Sequence, residues 1–287
     1  MLSSLAGVLF DGFAYGMLLF LLSVGLSVTL GMMNFVNLAH CSFAMVGGYA
    51  TVTLMNRFGW PFLATLPMAF LFGSLISIVL ERALYRRLYR SSDLDQCLLT
   101  IGIVFISVAA FAWFYSTEQQ SARPPEWLRG SIELMGMSFA VYRLFLIVFG
   151  LAVTALLVFS LEYTRFGAQV RAAVDNQRMA RGLGIDVDRA FMLTFALGGG
   201  LAGLGGALAI EVVGLDPTFA LAYLVYVLIV VAVGGLGSIG GSFAAAAVLG
   251  ISDMAGKYYF PWLGAFLIYL VMVGLLMWRP QGLFGRR

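Results

Sequence analysis

One island of charge limits how this chain can fold. Thr164 to Arg189 reads TRFGAQVRAAVDNQRMARGLGIDVDR, with five arginines (Arg165, Arg171, Arg178, Arg181, Arg189) and three aspartates (Asp175, Asp186, Asp188) between long apolar runs. One arginine at the centre of a bilayer costs about 2.5–3.5 kcal/mol on insertion scales. Five together exceed what any span recovers, so the island lies in water. Between Ala168 and Leu183 the composition favours helix and contains no proline, and Gly184-Ile185 supplies a stop. On a 3.6-residue period Val170, Ala173, Val174 and Ala180 share one side. Arg171, Asp175 and Arg178 share the other, at spacings that allow pairing. Two readings stand: a solvated connector, or a surface helix whose small-residue face docks on a cytosolic partner.

The flanks of the island set the class. The 287 residues are 61% hydrophobic and 11% charged, with mean hydropathy +0.96, whereas soluble domains run near ~25% charged. We expect an all-α, polytopic membrane helix bundle of eight to nine transmembrane segments, forming a single transmembrane domain over 1–287. The first positive charge is Arg57, so no basic region precedes an apolar signal core. A net charge of +3 implies no nucleic-acid partner. Cys41 and Cys97 read as small apolar residues. Gly12/Gly16, Gly199/Gly203 and Gly237/Gly241, each four apart, suit close helix approach.

Apolar runs cover Leu5–Leu30, then, after the less apolar passage GMMNFVNLAHCSF, a second run to about Met55, followed by Pro61–Glu81, Leu98–Tyr115 and Val141–Leu161. Beyond the island come Phe191–Val213, Leu221–Val233, Gly240–Ala255 and Trp262–Trp278. Arg82, Arg86, Arg87 and Arg90, the island, and Arg279, Arg286 and Arg287 hold twelve of the seventeen Lys and Arg residues. Placing all three groups in the cytosol fits nine spans with the amino terminus outside. Ser116–Ala140 and Glu211–Phe219 then face outward. If residues 31–56 re-enter instead, the count is eight and the amino terminus is inside.

Several chemistries are excluded. Lys257 is the only lysine and is followed by Tyr258, so no phosphate-binding G-x-x-x-x-G-K-[ST] loop exists. With one histidine and no Cys pair at ligand spacing, no metal site is expected. No G-x-S-x-G occurs. Asp11 and Asp253 form a remote candidate for a membrane aspartyl dyad. No catalytic residue or cofactor is assigned. Asn34, Asn37 and His40 recur every three residues, which puts three polar side chains on one helix face. Such residues face the bundle interior or water, and both a pore-lining and a helix-gluing stripe remain open.

Four blocks carry a family resemblance: GLSVTLGMMNFVNLAHCSFAMVGGY (25–49), Thr100-Ile101-Gly102, TRFGAQVRAAVDNQRMARGLGID, and the pair VVAVGGLGSIGGSF with the closing RPQGLFG. Spread over nearly the whole chain, they resemble the permease subunits of bacterial branched-chain amino acid ABC importers, specifically the shorter of the two homologous permeases. The resemblance implies a multi-pass protein of the bacterial cytoplasmic (inner) membrane, surrounded by lipid. Its implied partners are a second homologous permease subunit, two cytosolic ATPase subunits and a periplasmic substrate-binding protein. On this likeness Arg171, Ala172, Ala173, Asn176, Ala180, Gly184 and Ile185 belong to the ATPase-coupling loop. Asn34, Asn37, His40, Thr100 and Gly102 belong to the translocation path. The chain departs from the family at Cys41-Ser42, where relatives usually carry Gly-Glu, and at Leu224-Val225-Tyr226, where relatives often carry a lysine. The competing class is an ion-coupled secondary transporter of a small polar solute. Such proteins place acids near the midplane of broken helices, and no charge sits mid-span here.

Overall fold

The computed structural model describes residues 2–33, 35–89, 91–122, 124–134 and 137–285. Asn34, Arg90, Arg286 and Arg287 lie outside them. The order is α1 (Leu2–Met33), α2 (His40–Phe58), α3 (Phe62–Leu80), a π-turn (Glu81–Tyr85), α4 (Arg86–Leu88), α5 (Asp93–Tyr115), β1 (Ser131–Leu134), β2 (Met137–Ala140), α6 (Val141–Tyr163), α7 (Arg165–Asp175), α8 (Gln177–Gly182), α9 (Val187–Val213), α10 (Phe219–Gly234), α11 (Ile239–Tyr259) and α12 (Gly264–Trp278). The architecture is all-α but for the small hairpin, in which Ser131 pairs with Ala140 and Leu134 with Met137.

Among the described residues, six helical stretches are long and apolar enough to cross a membrane: Ser4–Gly31, Phe62–Leu88, Asp93–Tyr115, Val141–Tyr163, Val187–Val213 and Ile239–Tyr259. Phe219–Gly234 and Phe266–Trp278 are shorter apolar helices. The chain is a multi-pass membrane helix bundle. The expected eight to nine segments are not reached on length alone. α10 and α12 are short, and α2 opens late with His40, Cys41 and Ser42.

α1 and α9 form the spine and are buried nearly throughout, whereas α5 and α6 lie at the periphery. α1 packs on α11 and α9, and α9 also receives α2 and α3. Glycines make these approaches possible. Gly199 and Gly203 abut Ala69, Gly73 and Ser77 of α3, while Gly206 abuts the Ala44 backbone of α2. Without a hydrophobic force between helices in lipid, backbone proximity of this kind is what holds them. Serine supplements it: Ser74 Oγ donates to the Ala196 carbonyl at 2.8 Å and Ser77 Oγ to that of Phe195 at 2.7 Å. Of the other expected pairs, Gly12 and Gly16 seat α11 on α1. Gly237 instead occupies a turn at φ +79° against Gly31.

Caps account for boundaries that hydropathy misses. α5 begins at Asp93, five residues before the expected Leu98, because Ser92 and Asp95 form a reciprocal capping box. α9 begins at Val187, before the expected Phe191, because the Asp186 side chain accepts from the Arg189 N–H. The 116–140 connection is tied to the neighbouring loop where the Gln120 N–H donates to the Leu215 carbonyl at 2.7 Å.

Candidate functional site

Between α1 and α2 the chain is not helical. Phe35, Asn37 and Ala39 are fully buried in that gap, and backbone groups freed inside an apolar bundle must find partners there. They find them on α5. The Val36 N–H donates to Gln96 Oε1 at 3.0 Å and the Leu38 N–H to Thr100 Oγ1 at 3.2 Å. Gln96 Nε2 donates onward to the Leu88 carbonyl, and Asn37 Oδ1 accepts from the Ala39 N–H. His40 opens α2 and its Nε2 donates to the Leu22 carbonyl at 3.1 Å. Phe35 packs among Tyr85, Tyr89 and Phe195, with ring centroids 5.1–5.7 Å away.

The three-residue rhythm therefore does not make a helical face, because residues 35–39 are extended and turned. Asn34 falls outside the described residues. Asn37, His40 and Thr100 lie along one seam: Thr100 ties residue 38 to α5 and His40 ties α2 to α1, while Asn37 Nδ2 is buried with no hydrogen-bond partner among the described residues. Gly102 stands apart on α5, where an added Cβ would meet nothing. The polar seam continues through Ser42–Ser107 at 2.8 Å and Thr53–Tyr115 at 2.6 Å. Gln96 and Ser107 escaped sequence reasoning, although Gln96, Thr100 and Ser107 sit four and seven residues apart on one side of a helix.

The charged island folds as an elbow. Thr164 caps α7, accepting from the Gly167 N–H, and Asn176 ends α7 in an extended conformation (φ −155°, ψ 95°). The same Asn176 caps α8, its Oδ1 accepting from the Met179 N–H at 3.0 Å. The expected single helix is thus two, hinged at Asn176. Gly184 takes φ +82°, and the Ile185 N–H returns to the Ala180 carbonyl at 3.0 Å, closing α8.

The small-residue face points inward. Val170, Ala173 and Ala180 bury themselves against Val187, Ala190 and Phe191, with Val174, Ile185, Met33 and Tyr89 packed around them. The face expected to dock on a partner is used to seat the elbow on α9. Arg171 does not pair along the helix. It donates to the Leu161 and Glu162 carbonyls at the end of α6, where a cation meets the helix dipole favourably. Asp188 accepts from both Arg86 and Arg181, binding the elbow to α4, and Arg189 pairs with Asp186 at 2.8 Å. Beside them Tyr89 donates to Glu81 at 2.7 Å. Burial, then that bond, pushes the Tyr89 phenol above its usual range. The elbow turns Gln169, Arg178, Met179 and Leu183 outward, the last two 66% and 79% exposed.

Asp11 pairs with Arg143 and Asp253 with Lys257. Each carboxylate has its own cation, so the two form no aspartyl dyad.

Residues 8–276 match the family described as branched-chain amino acid transport system / permease component. The chain belongs to this family. The permease is 26% identical over 293 residues to the high-affinity branched-chain amino acid transport system permease protein LivH of Escherichia coli, covering 97% of this chain and 94% of that one. It is 27% identical to the probable branched-chain amino acid transport permease LivH of Methanocaldococcus jannaschii, over 94% and 90% of the two chains. It is 25% identical to BraD of Pseudomonas aeruginosa, over 97% and 95%. The E. coli permease LivM also matches, 26% identical over 93% of this chain and 68% of its own. No solved structure matches the permease.

Proposed function

We propose that this permease is the translocating subunit of a binding-protein-dependent ABC importer for branched-chain amino acids in the bacterial inner membrane. In this reading it pairs with a second, LivM-like permease, takes power from two cytosolic ATPase subunits and receives solute from a periplasmic binding protein. The relatives' names support the substrate class. The elbow supports the coupling: two capped helices seated on α9 and tied to α4, with Met179 and Leu183 held out in water beside Arg178 and Arg181. Large apolar side chains exposed on an otherwise charged surface mark a contact site. Arg171, Ala172, Ala173, Asn176, Ala180, Gly184 and Ile185 shape and seat the elbow, while Met179 and Leu183 touch the ATPase.

Nine segments then cross in alternating directions: α1, residues 35–58, α3 with α4, α5, α6, α9, α10, α11 and α12. The 35–58 segment crosses instead of re-entering, since Val36 lies beside Gln96 at the start of α5 and Thr53 beside Tyr115 at its end. The amino terminus lies outside, with the elbow, α4 and the 279–285 tail inside. ATP-driven movement of the elbow tilts α9 and opens the α2/α5 seam, so that Asn34, Asn37, His40, Thr100 and Gly102 meet the solute in one of two states.

The test is a Met179→Asp, Leu183→Asp double variant in the assembled importer. Substrate-stimulated ATP hydrolysis should fall at least tenfold with the subunits still co-purifying. Undiminished stimulation would remove the elbow from the coupling path.

A further inference from the structure

The α1–α11 crossing is glycine-tight. A Cβ on Gly12 would meet Ile251 Cα at 2.5 Å, and one on Gly16 would meet the Ala246 carbonyl oxygen at 2.7 Å. That closeness brings Tyr15 of α1 against the far end of α11, away from the elbow. Asp253 and Lys257 sit there one turn apart. Asp253 is 1% exposed and its Oδ2 accepts from Lys257 Nζ at 2.6 Å, yet its Oδ1 is buried with no hydrogen-bond partner among the described residues. The Lys257 side chain is 53% exposed, and its ammonium lies 5.4 Å from the centre of the Tyr15 ring.

Three more tyrosines complete the surroundings. Tyr223 and Tyr226 of α10 and Tyr269 of α12 run in sequence with centroids 5.8 and 6.2 Å apart. The Asp253 carboxylate is within electrostatic reach of Tyr15, Tyr223 and Tyr226. A carboxylate with an unused acceptor oxygen inside a bundle is costly to keep. A pair that served only to hold α11 would gain nothing from leaving one carboxylate oxygen unpaired. A carboxylate beside several aromatic rings is instead the arrangement that recognises an ammonium group. Lys257, the only lysine in the chain, is a compact ammonium on a flexible stem, half exposed at the outer end of α11.

We propose that Asp253, Tyr15, Tyr223 and Tyr226 form an ammonium-binding site at the end of the bundle opposite the elbow. Lys257 is its tethered occupant and yields to the ammonium of an amine-bearing solute such as an amino acid. Lys257 swings into water as the solute enters, so the buried carboxylate is never without a cation. This inference rests on the permease reading and names the group of the solute held at the outer end.

The experiment uses the full chain in lipid nanodiscs, without ATPase or binding protein, so a failure of ATP coupling leaves it untouched. The probe is radiolabelled isoamylamine, which is leucine without its carboxylate. Lys257→Met should bind the probe at least tenfold more tightly than the unmodified chain, and adding Asp253→Asn should reverse the gain. Unlabelled isoamylamine should compete, and 4-methylpentanoate, which is leucine without its ammonium, should not. Equal affinity with and without Lys257 would overturn the proposal, as would effective competition by the acid. The competition series runs on the unmodified chain, so the proposal stays testable even if the Asp253 variant does not fold.

Discussion

Gln96 shows what a single side chain does here. Its Oε1 holds the Val36 N–H and its Nε2 the Leu88 carbonyl, so one amide spans the gap between α1 and α2 and the end of α4. Gln96→Leu keeps the volume and leaves the part-buried Val36 N–H bare, a loss of about 1–3 kcal/mol. The purified protein should melt several degrees lower, and an unchanged melting temperature would show that another group takes over. Asn176 is similar in kind, since one residue ends one helix and starts the next. Gln96 reads as an ordinary polar position in the sequence, and Asn176 stands out there only through the family resemblance, not as a hinge. The rhythm of Asn34, Asn37 and His40 did register, but spacing alone assumes a helix. The actual backbone at 35–39 is set by partners sixty residues away, which no local pattern contains.

At the scale of the element, the apolar runs were legible and their ends were not. Hydropathy locates α3, α5, α6 and α9 because each must remain apolar for about 20 residues in lipid. It misplaces the starts of α5 and α9, because Ser92 and Asp186 extend those helices into polar sequence by capping. The inward face of the elbow was misread for a related reason. Small residues at helical spacing suit any close partner, and the pattern does not say that the partner is α9 of the same chain. The glycines of α9 show how narrow the tolerance is. Gly206→Ala would drive a methyl into the Ala44 backbone, and overpacking of this kind costs about 1–3 kcal/mol. Gly102→Ala has open space and should be neutral or slightly stabilising. Thermal denaturation of the two variants side by side checks this, and equal behaviour would contradict the packing of α2 on α9.

For the whole molecule, the proposed arrangement puts the arginine-rich segments in the cytosol and the 116–140 connection outside. In a chain with Cys41 and Cys97 replaced by alanine, a cysteine at Ser121 should react with an impermeant thiol reagent on intact cells. A cysteine at Arg178 should react only in inverted vesicles. The opposite pattern would reverse the orientation and remove the ATPase contact with it.

The spine has a consequence for how this protein is made. α1 leaves the ribosome first, yet its tightest neighbours, α9 and α11, follow about two hundred residues later. Until they arrive, the Gly12 and Gly16 notch faces lipid or an insertion chaperone, and the earlier helices have no finished wall to lean on. Assembly should therefore finish late, and a chain shortened before α9 should be degraded faster in the membrane than the full one, which pulse-chase would show.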